Sequence, residues 1–343
     1  MSGESVISVK NIKTYFYSEN RCNRAVNGVS FEVKRGRTLC VVGESGCGKS
    51  VTASSIMQLL PRLARIEEGE IIYHSEEKGD IEIQKLKRNG KEMRELRGKD
   101  IAMIFQDPMT ALNPVFKVGD QIAENIMQHE KVSKKEAKAR ALELLTQMGI
   151  PEPEKRINQY PHEFSGGMRQ RAVIALAMSC NPKVLLADEP TTALDVTIQA
   201  QIFELMDMLK EKYNTAIMLI THDMGVVSEL ADDVLVMYMG NVIESGTARE
   251  VLKNPKHPYT KALLASIPVL GRGKDQQISP IRGMTPNPYN RPKGCQFEPR
   301  CDFACDKCRE CMPDETKLDG THMVRCHNWE EADKRAKRRR LLP

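Results

Sequence analysis

The segment Gly43-Glu44-Ser45-Gly46-Cys47-Gly48-Lys49-Ser50 constrains this chain more than any other feature. Its glycines let backbone N–H groups turn inward around an anion without side-chain clashes. A lysine and a hydroxyl follow where a helix would begin, and a helix start adds its positive dipole end. Lys49 is thereby expected to reach the β- and γ-phosphates of a nucleotide, and Ser50 to ligate Mg²⁺. Average residue usage would produce this pattern by chance, in a chain this long, on the order of one time in a hundred. Thr38-Leu39-Cys40-Val41-Val42, just before it, is a nearly continuous apolar run and reads as a buried strand entering a tight loop. Helix signals resume at Lys49 and stop before Pro61.

The rest of the chain fits an α/β protein. Ile7–Ile12 and Val29–Val33 alternate apolar and polar residues, the pattern of half-exposed antiparallel strands. Residues from about 110 to 165 read as mostly helical. Ser133 is a serine cap with Glu136 at the third helical position, and Leu142, Leu144, Leu145 and Met148 supply an apolar face. Val184–Ala187 and Ala216–Ile220 are two further buried strands, and apolar strands alternating with helices predict a parallel sheet covered on both faces.

With 343 residues the chain has room for two domains. Its 41% hydrophobic residues can bury a core, and a net charge of +5, mixed along the sequence, does not point to nucleic acid. No run of about 18 apolar residues offers a membrane span. Met1-Ser2-Gly3-Glu4 lacks the basic and apolar regions of a secretory signal, so a cytosolic location is expected. After about residue 256 proline and glycine rise and six of the ten cysteines cluster between Cys295 and Cys326. In a reducing compartment that clustering favours metal over disulfides. A second, small domain is expected from residue 257 to 343, with its first helix at Thr260–Ser266 and a basic tail at Lys334–Arg340.

A second chemical motif is Val184-Leu185-Leu186-Ala187-Asp188-Glu189. A carboxylate at the end of a buried strand can hold Mg²⁺ through water, which suits Asp188. Glu189 can polarise an attacking water as general base. Phe164-Ser165-Gly166-Gly167-Met168-Arg169-Gln170, upstream of that strand, resembles the signature of ABC ATPases. Gln106 resembles the family's Q-loop glutamine, Ala193-Leu194-Asp195 its D-loop, and His222 its switch histidine, all in the family's order over residues 5–250.

The resemblance implies a RecA-like parallel sheet with an N-terminal antiparallel β subdomain and a helical subdomain at about 108–170, together spanning residues 1–256. It implies that Gly43 through Ser50, with Val51, bind ATP, and that Ser50, Gln106 and Asp188 serve Mg²⁺. Glu189, Gln106 and His222 become the hydrolytic residues. Phe16 becomes the ring that stacks on adenine, with Tyr15 the alternative. Two such domains pair head to tail in the family, so Ser165, Gly166, Gly167 and Gln170 would serve the ATP held by a partner's loop, with Asp195 in the D-loop. Cys47 stands where related loops often carry serine, and sensitivity to thiol reagents is expected there.

Cys295, Cys301, Cys305, Cys308, Cys311 and Cys326, together with His257-Pro258-Tyr259-Thr260, resemble the C-terminal extension of the dipeptide/oligopeptide permease ATPases, most closely their D-type subunit. Some members hold a [4Fe–4S] cluster, and the family's cysteine pattern maps onto Cys295, Cys301, Cys308 and Cys326. The spacing Cys305-x2-Cys308-x2-Cys311 offers a competing, ferredoxin-like set. Four thiolates suit Zn²⁺ equally, and free thiols without metal are the third reading.

The resemblance implies an ATP-hydrolysing subunit of an importer for di- or oligopeptides, at the cytoplasmic face of the cell membrane. It would work with a homologous, non-identical ATPase, two membrane permeases and an extracytoplasmic peptide-binding protein. Related importers carry nickel chelates or oligosaccharides, which stand as alternative solutes. A soluble ABC-type regulatory ATPase is the alternative of another class. Such proteins usually hold two cassettes, and this chain has one phosphate loop and one signature.

Overall fold

The computed structural model describes residues 3–19, 21–107, 111–192, 194–266 and 281–340. From the N-terminus run strands β1 (Ser5–Ser18), β2 (Arg21–Lys34) and β3 (Thr38–Val42), helix α1 (Lys49–Ile56), then β4 (Ala64–Ser75), β5 (Gly79–Glu82) and β6 (Ile101–Ile104). Helices α2 (Val118–His129), α3 (Lys134–Gln147) and α4 (Gly166–Met178) follow. Next come β7 (Val184–Asp188), α5 (Val196–Tyr213), β8 (Ala216–Thr221), α6 (Met224–Leu230), β9 (Asp233–Tyr238) and β10 (Asn241–Thr247). The final stretch holds α7 (Pro258–Ala265), β11 (Thr316–Lys317), β12 (Met323–Val324) and α8 (Trp329–Arg340).

The chain packs as two compact units. One comprises Met1–Ile7, Glu32–Thr38 and Ile72–Ile220. In it β6, β7 and β8 are parallel, with Ile101 opposite Val184 and Val184 opposite Ala216. Every residue of β7 and β8 is buried, as expected for parallel strands covered on both faces. Helices α2, α3 and α4 pack through Ile122, Ile126, Ala137, Ala141, Leu145 and Ile174, all at most 2% exposed. The spacing of these residues puts them on one stripe of each helix. Arg140 of α3 forks onto Glu130 and also donates to the Ser179 carbonyl just past α4.

The other unit comprises Ser8–Phe31, Leu39–Ile71 and Thr221–Pro343. Strand β3 runs parallel to β9, with Val41 opposite Leu235. From β9 the chain turns back at Met239-Gly240 into antiparallel β10. Strand β12 pairs antiparallel with β10, Glu244 opposite Val324, and β11 pairs with β12. Beside these, β2, β1 and β4 are neighbours in a second sheet.

Several local expectations change. Val6, Ile7, Ser8 and Val9 are all buried rather than alternating, because this stretch of β1 is covered on both faces. Ser133 accepts the Glu136 N–H at 3.2 Å, but only that half of the capping box forms, since the Glu136 side chain stays in water. Leu142 is only half-buried and Ala141 takes its place on the apolar stripe. The helix expected at Thr260–Ser266 begins two residues earlier, at Pro258, where proline suits a first helical position. The expected start of the helical subdomain, 108–110, lies outside the described residues, as do 341–343. The cysteine-rich end belongs to the same compact unit as the Gly43–Ser50 loop, and its short strands β11 and β12 were not foreseen.

Candidate active site

Strand β3 delivers the chain into the glycine loop. Gly43 has φ 150°, and a Cβ there would stand 2.2 Å from the Met237 carbonyl oxygen. Gly48 has φ 104°, and a Cβ there would stand 2.3 Å from the Ala25 carbonyl oxygen. Both positions therefore require glycine for conformation and for space. The base of the loop is pinned: the Cys47 N–H donates to the Glu44 carbonyl at 3.3 Å, and the Gly240 N–H donates to the Cys47 carbonyl at 2.8 Å. Lys49 is 5% exposed, and its ammonium donates to the carbonyls of Gly43 (2.7 Å) and Glu44 (3.1 Å). Ser45, Gly46 and Ser50 stay exposed and Val51 is half-buried. A rigid base, an exposed rim and a cation resting on loop carbonyls form a cradle for an anion. Cys47 departs from expectation. It is 3% exposed, and burial raises its thiol pKa despite nearby Lys49, so it lacks the exposed thiolate that alkylation needs.

Tyr15 and Phe16 are both half-buried on β1. The Thr14 and Ser55 hydroxyls share a hydrogen bond at 2.9 Å, which directs that face of β1 toward α1. Side chains alternate along a strand, so Phe16 shares the face of Thr14. Tyr15 takes the opposite face and donates to Asn27 at 3.0 Å.

In the other unit, Asp188 ends β7 at 5% exposure. Glu189 follows with φ 46°, an uncommon conformation for a residue other than glycine and one that concentrates at functional sites. Its backbone N–H donates to the Ile220 carbonyl at 3.0 Å. Its carboxylate accepts from the Gln106 amide at 3.2 Å and the Thr192 hydroxyl at 3.1 Å. Gln106 reaches it because β6, which ends two residues earlier, pairs with β7 at Ile104 and Ala187.

Ser165 caps α4 by accepting the Met168 N–H at 3.3 Å, which sets Gly166 and Gly167 in the first turn. The Ile198 side chain lies 3.0 Å from where a Gly167 Cβ would be, so α5 packs close against this turn. Gln170 is fully buried, and neither amide atom has a hydrogen-bond partner. Asp195 caps α5 by accepting the Ile198 N–H at 3.0 Å. Ala193 of the same motif lies outside the described residues. His222 is exposed just past β8, and next to it Asp223 caps α6 by accepting the Gly225 N–H at 2.8 Å.

Among the described residues, no three His, Cys, Asp or Glu side chains stand close enough to hold a metal ion. The thiols of Cys295, Cys301, Cys308 and Cys326 nonetheless interact. Burial pushes Cys326 up to about 12, and the charges of the other three push it in the same direction. Cys301, also pushed up to about 12 by burial, feels Cys295 and Cys308. Cys301 Sγ accepts the Phe303 N–H at 3.4 Å. Cys305 Sγ lies 3.5 Å from Cys308 Sγ, and exposed Cys311 lies 3.7 Å from the His327 ring.

Three residues to which the sequence motifs gave no role of their own join this end to its unit. Glu244 of β10 is fully buried and accepts from the N–H groups of Lys256 (2.6 Å) and His257 (2.9 Å), with the His322 ring at 2.8 Å. Tyr259 and Arg300 both reach Glu44. No local pattern marks these contacts, since the partners stand far apart in sequence.

Residues 26–192 match the family described as ABC transporter, and residues 243–308 match the oligopeptide/dipeptide transporter, C-terminal region. The chain is 48% identical over 324 residues to the dipeptide transport ATP-binding protein DppD of Bacillus subtilis (strain 168), covering 94% of each. It is 50% identical over 321 residues to the oligopeptide transport ATP-binding protein OppD of the same organism, covering 93% of this chain and 88% of that one. Among solved structures, it resembles the dimeric ATP-binding cassette MJ0796 in a post-hydrolysis state bound to ADP and Pi. There the TM-score is 0.62 at 26% identity, over 71% of this chain and 99% of that one.

Proposed function

This chain belongs to the ABC transporter ATPases, in the branch that carries the oligopeptide/dipeptide transporter C-terminal region, and from that membership we infer that it is the ATP-hydrolysing subunit of a peptide importer. What carries the reading is one chain holding both a complete phosphate loop and that C-terminal region. In our reading residues 1–256 are the ATPase domain, with a helical subdomain at about 108–170, and 257–343 the extension.

The loop from Gly43 to Val51 binds the phosphates of ATP, and Lys49 leaves its carbonyl rests to meet them. Phe16 stacks on adenine, since it shares the α1-facing side of β1 with Thr14. Exposed Ser50 and Gln106 and the strand-end carboxylate of Asp188 suit a hard cation. These three residues would hold Mg²⁺, whose charge would offset that of the phosphates. Glu189, aimed by Gln106 and Thr192, takes the proton of the attacking water. His222 holds the γ-phosphate. Ser165, Gly166 and Gly167 present the start of α4 to the ATP of a homologous, non-identical partner subunit, with Gln170 packed beneath them. Asp195 shapes the neighbouring loop. Among the described residues no helix is long and apolar enough to cross a membrane. Two integral-membrane permeases complete the transporter, with this subunit at their cytoplasmic face and a peptide-binding protein on the far side.

We propose that Cys295, Cys301, Cys308 and Cys326 would hold a [4Fe–4S] cluster. They follow the family's cysteine pattern, and Cys326 feels the charges of the other three. When bound, the cluster cross-links the four thiols of the extension. Iron and acid-labile sulphide measured anaerobically test this: roughly four of each per chain, lost in Cys301→Ser and kept in Cys311→Ser, is the expected result. Stoichiometric zinc without sulphide would overturn it.

The transport reading is tested by pulling the tagged chain from membranes and assaying peptide uptake. Two permeases should accompany it, and Glu189→Gln should stop uptake. Purification without any integral-membrane partner, or uptake unchanged by Glu189→Gln, would sink the reading.

A further inference from the structure

Glu44 is the second residue of the phosphate loop, and its polar groups are committed in two directions. Its carbonyl accepts from the Lys49 ammonium (3.1 Å) and the Cys47 N–H (3.3 Å), inside the loop. Its N–H and its carboxylate turn instead to the C-terminal extension. The N–H donates to the Tyr259 hydroxyl at 2.8 Å, so this amide is not among those available to phosphate. The carboxylate takes both arms of the Arg300 guanidinium, at 2.6 and 2.9 Å, and the Thr285 hydroxyl at 3.2 Å.

Arg300 is built into its place. Its side chain is 4% exposed. Its Nε donates to the Arg282 carbonyl at 2.8 Å and its third direction meets the Tyr238 hydroxyl at 3.2 Å. It stands 5.9 Å from the ring centres of Tyr238 and Phe297. Tyr238, Tyr259 and Phe297 pack together with ring centres 4.8 to 5.4 Å apart. A bidentate arginine–carboxylate pair fixes orientation as well as distance, and a partly buried one is worth more than a surface pair. A second clamp lies at Arg291, which donates to the carbonyls of Met239 and Arg24, on the β2 strand beside Tyr15.

We propose that the C-terminal extension is a positioning device for nucleotide binding: Arg300, through Glu44, holds the phosphate loop and sets where the Lys49 ammonium rests. This deepens the reading of Gly43–Ser50 as the ATP loop and rests on it. Arg300 touches no reacting atom. It acts by fixing the backbone of Glu44, whose carbonyl carries Lys49. Freeing Glu44 leaves the lysine in the loop but loosens the preformed cradle, so binding should suffer while chemistry proceeds.

The test uses the full-length protein with a fluorescent ATP analogue, and the assembled transporter for kinetics. Arg300→Met should weaken nucleotide binding and raise KM for ATP by roughly tenfold, with kcat within about twofold. Arg300→Lys, keeping the charge but losing the fork, should recover part of the loss. Glu44→Gln should weaken nucleotide binding as much as Arg300→Met does, and the double variant should bind no worse than either single. If Arg300→Met fails to fold, Glu44→Gln leaves Arg300 in its pocket and gives the same reading. Unchanged nucleotide affinity in both single variants, or losses that multiply in the double, would overturn the proposal. A wild-type transporter without ATPase activity would instead strike the functional reading on which it rests.

Discussion

Glu189 sits where three constraints meet: a left-handed backbone, a hydrogen bond from Gln106 and another from Thr192. Glu189→Gln keeps the shape and the backbone but removes the carboxylate proposed as the base. Turnover should fall at least about a hundredfold while ATP affinity stays within a few-fold, measured by phosphate release beside nucleotide titration. A variant that hydrolyses at wild-type rate removes Glu189 from that role. His257 yields a prediction of another kind. Its Nδ1 accepts the Tyr259 N–H at 3.0 Å, so the ring must be neutral, and burial holds its pKa down to about 4 even with Glu244 nearby. In the unfolded chain it titrates near 6.5. Between those values the unfolded chain binds a proton that the folded one refuses. Stability is therefore complete above about 6.5 and declines as pH falls toward 4, by on the order of 3 kcal/mol at most. Urea unfolding at pH 7 and pH 5 should show the slope in wild type and a smaller one in His257→Asn. Equal slopes would count against it.

Among the elements, the turn from β3 into α1 has the least freedom. A methyl at Gly48 meets the Ala25 carbonyl at 2.3 Å and forces φ 104° on a residue with a Cβ. Gly48→Ala should therefore cost ATP binding roughly tenfold or more, seen in a direct titration. Strand β12 makes a different commitment. Val324 is fully buried opposite Glu244, the residue that gathers Lys256, His257 and His322. Val324→Asp places an unpaired carboxylate in that spot and should destabilise it by about 3 kcal/mol or more. Hydrogen exchange would locate the damage: amides of β10, β12 and α7 should lose protection before those of β6 and β7. Uniform loss across the chain would mean that the extension does not open separately.

For the whole molecule, the decisive question is pairing. If Ser165 serves the partner's nucleotide, Ser165→Phe should leave this chain's own ATP affinity within about twofold and abolish ATP-dependent association with the partner subunit. Light scattering of the Glu189→Gln background, with and without ATP, reads this directly. Association that survives Ser165→Phe would place the signature outside the interface.

The glycine loop, the buried strands at 38–42, 184–187 and 216–220, the Asp188-Glu189 pair and the signature are all local patterns in the sequence; the structure extends the second and third strands by one residue each. Each is a local pattern whose chemistry depends on residue type and spacing over a few positions. The sequence did not reveal that Gln106 bonds Glu189, because that contact spans 83 residues and exists only once β6 lies beside β7. It could not show that Cys47 is buried, since burial is a property of the fold and not of the motif. Nor could it place Arg300 on Glu44, 256 residues away. An arginine followed by a cysteine in a proline-rich stretch carries no mark of its partner. Only when β9, β10 and β12 lie side by side does the extension fold against the Gly43–Ser50 loop. The sequence by itself determined which groups can do the chemistry; the tertiary structure decided which distant residues hold them in place.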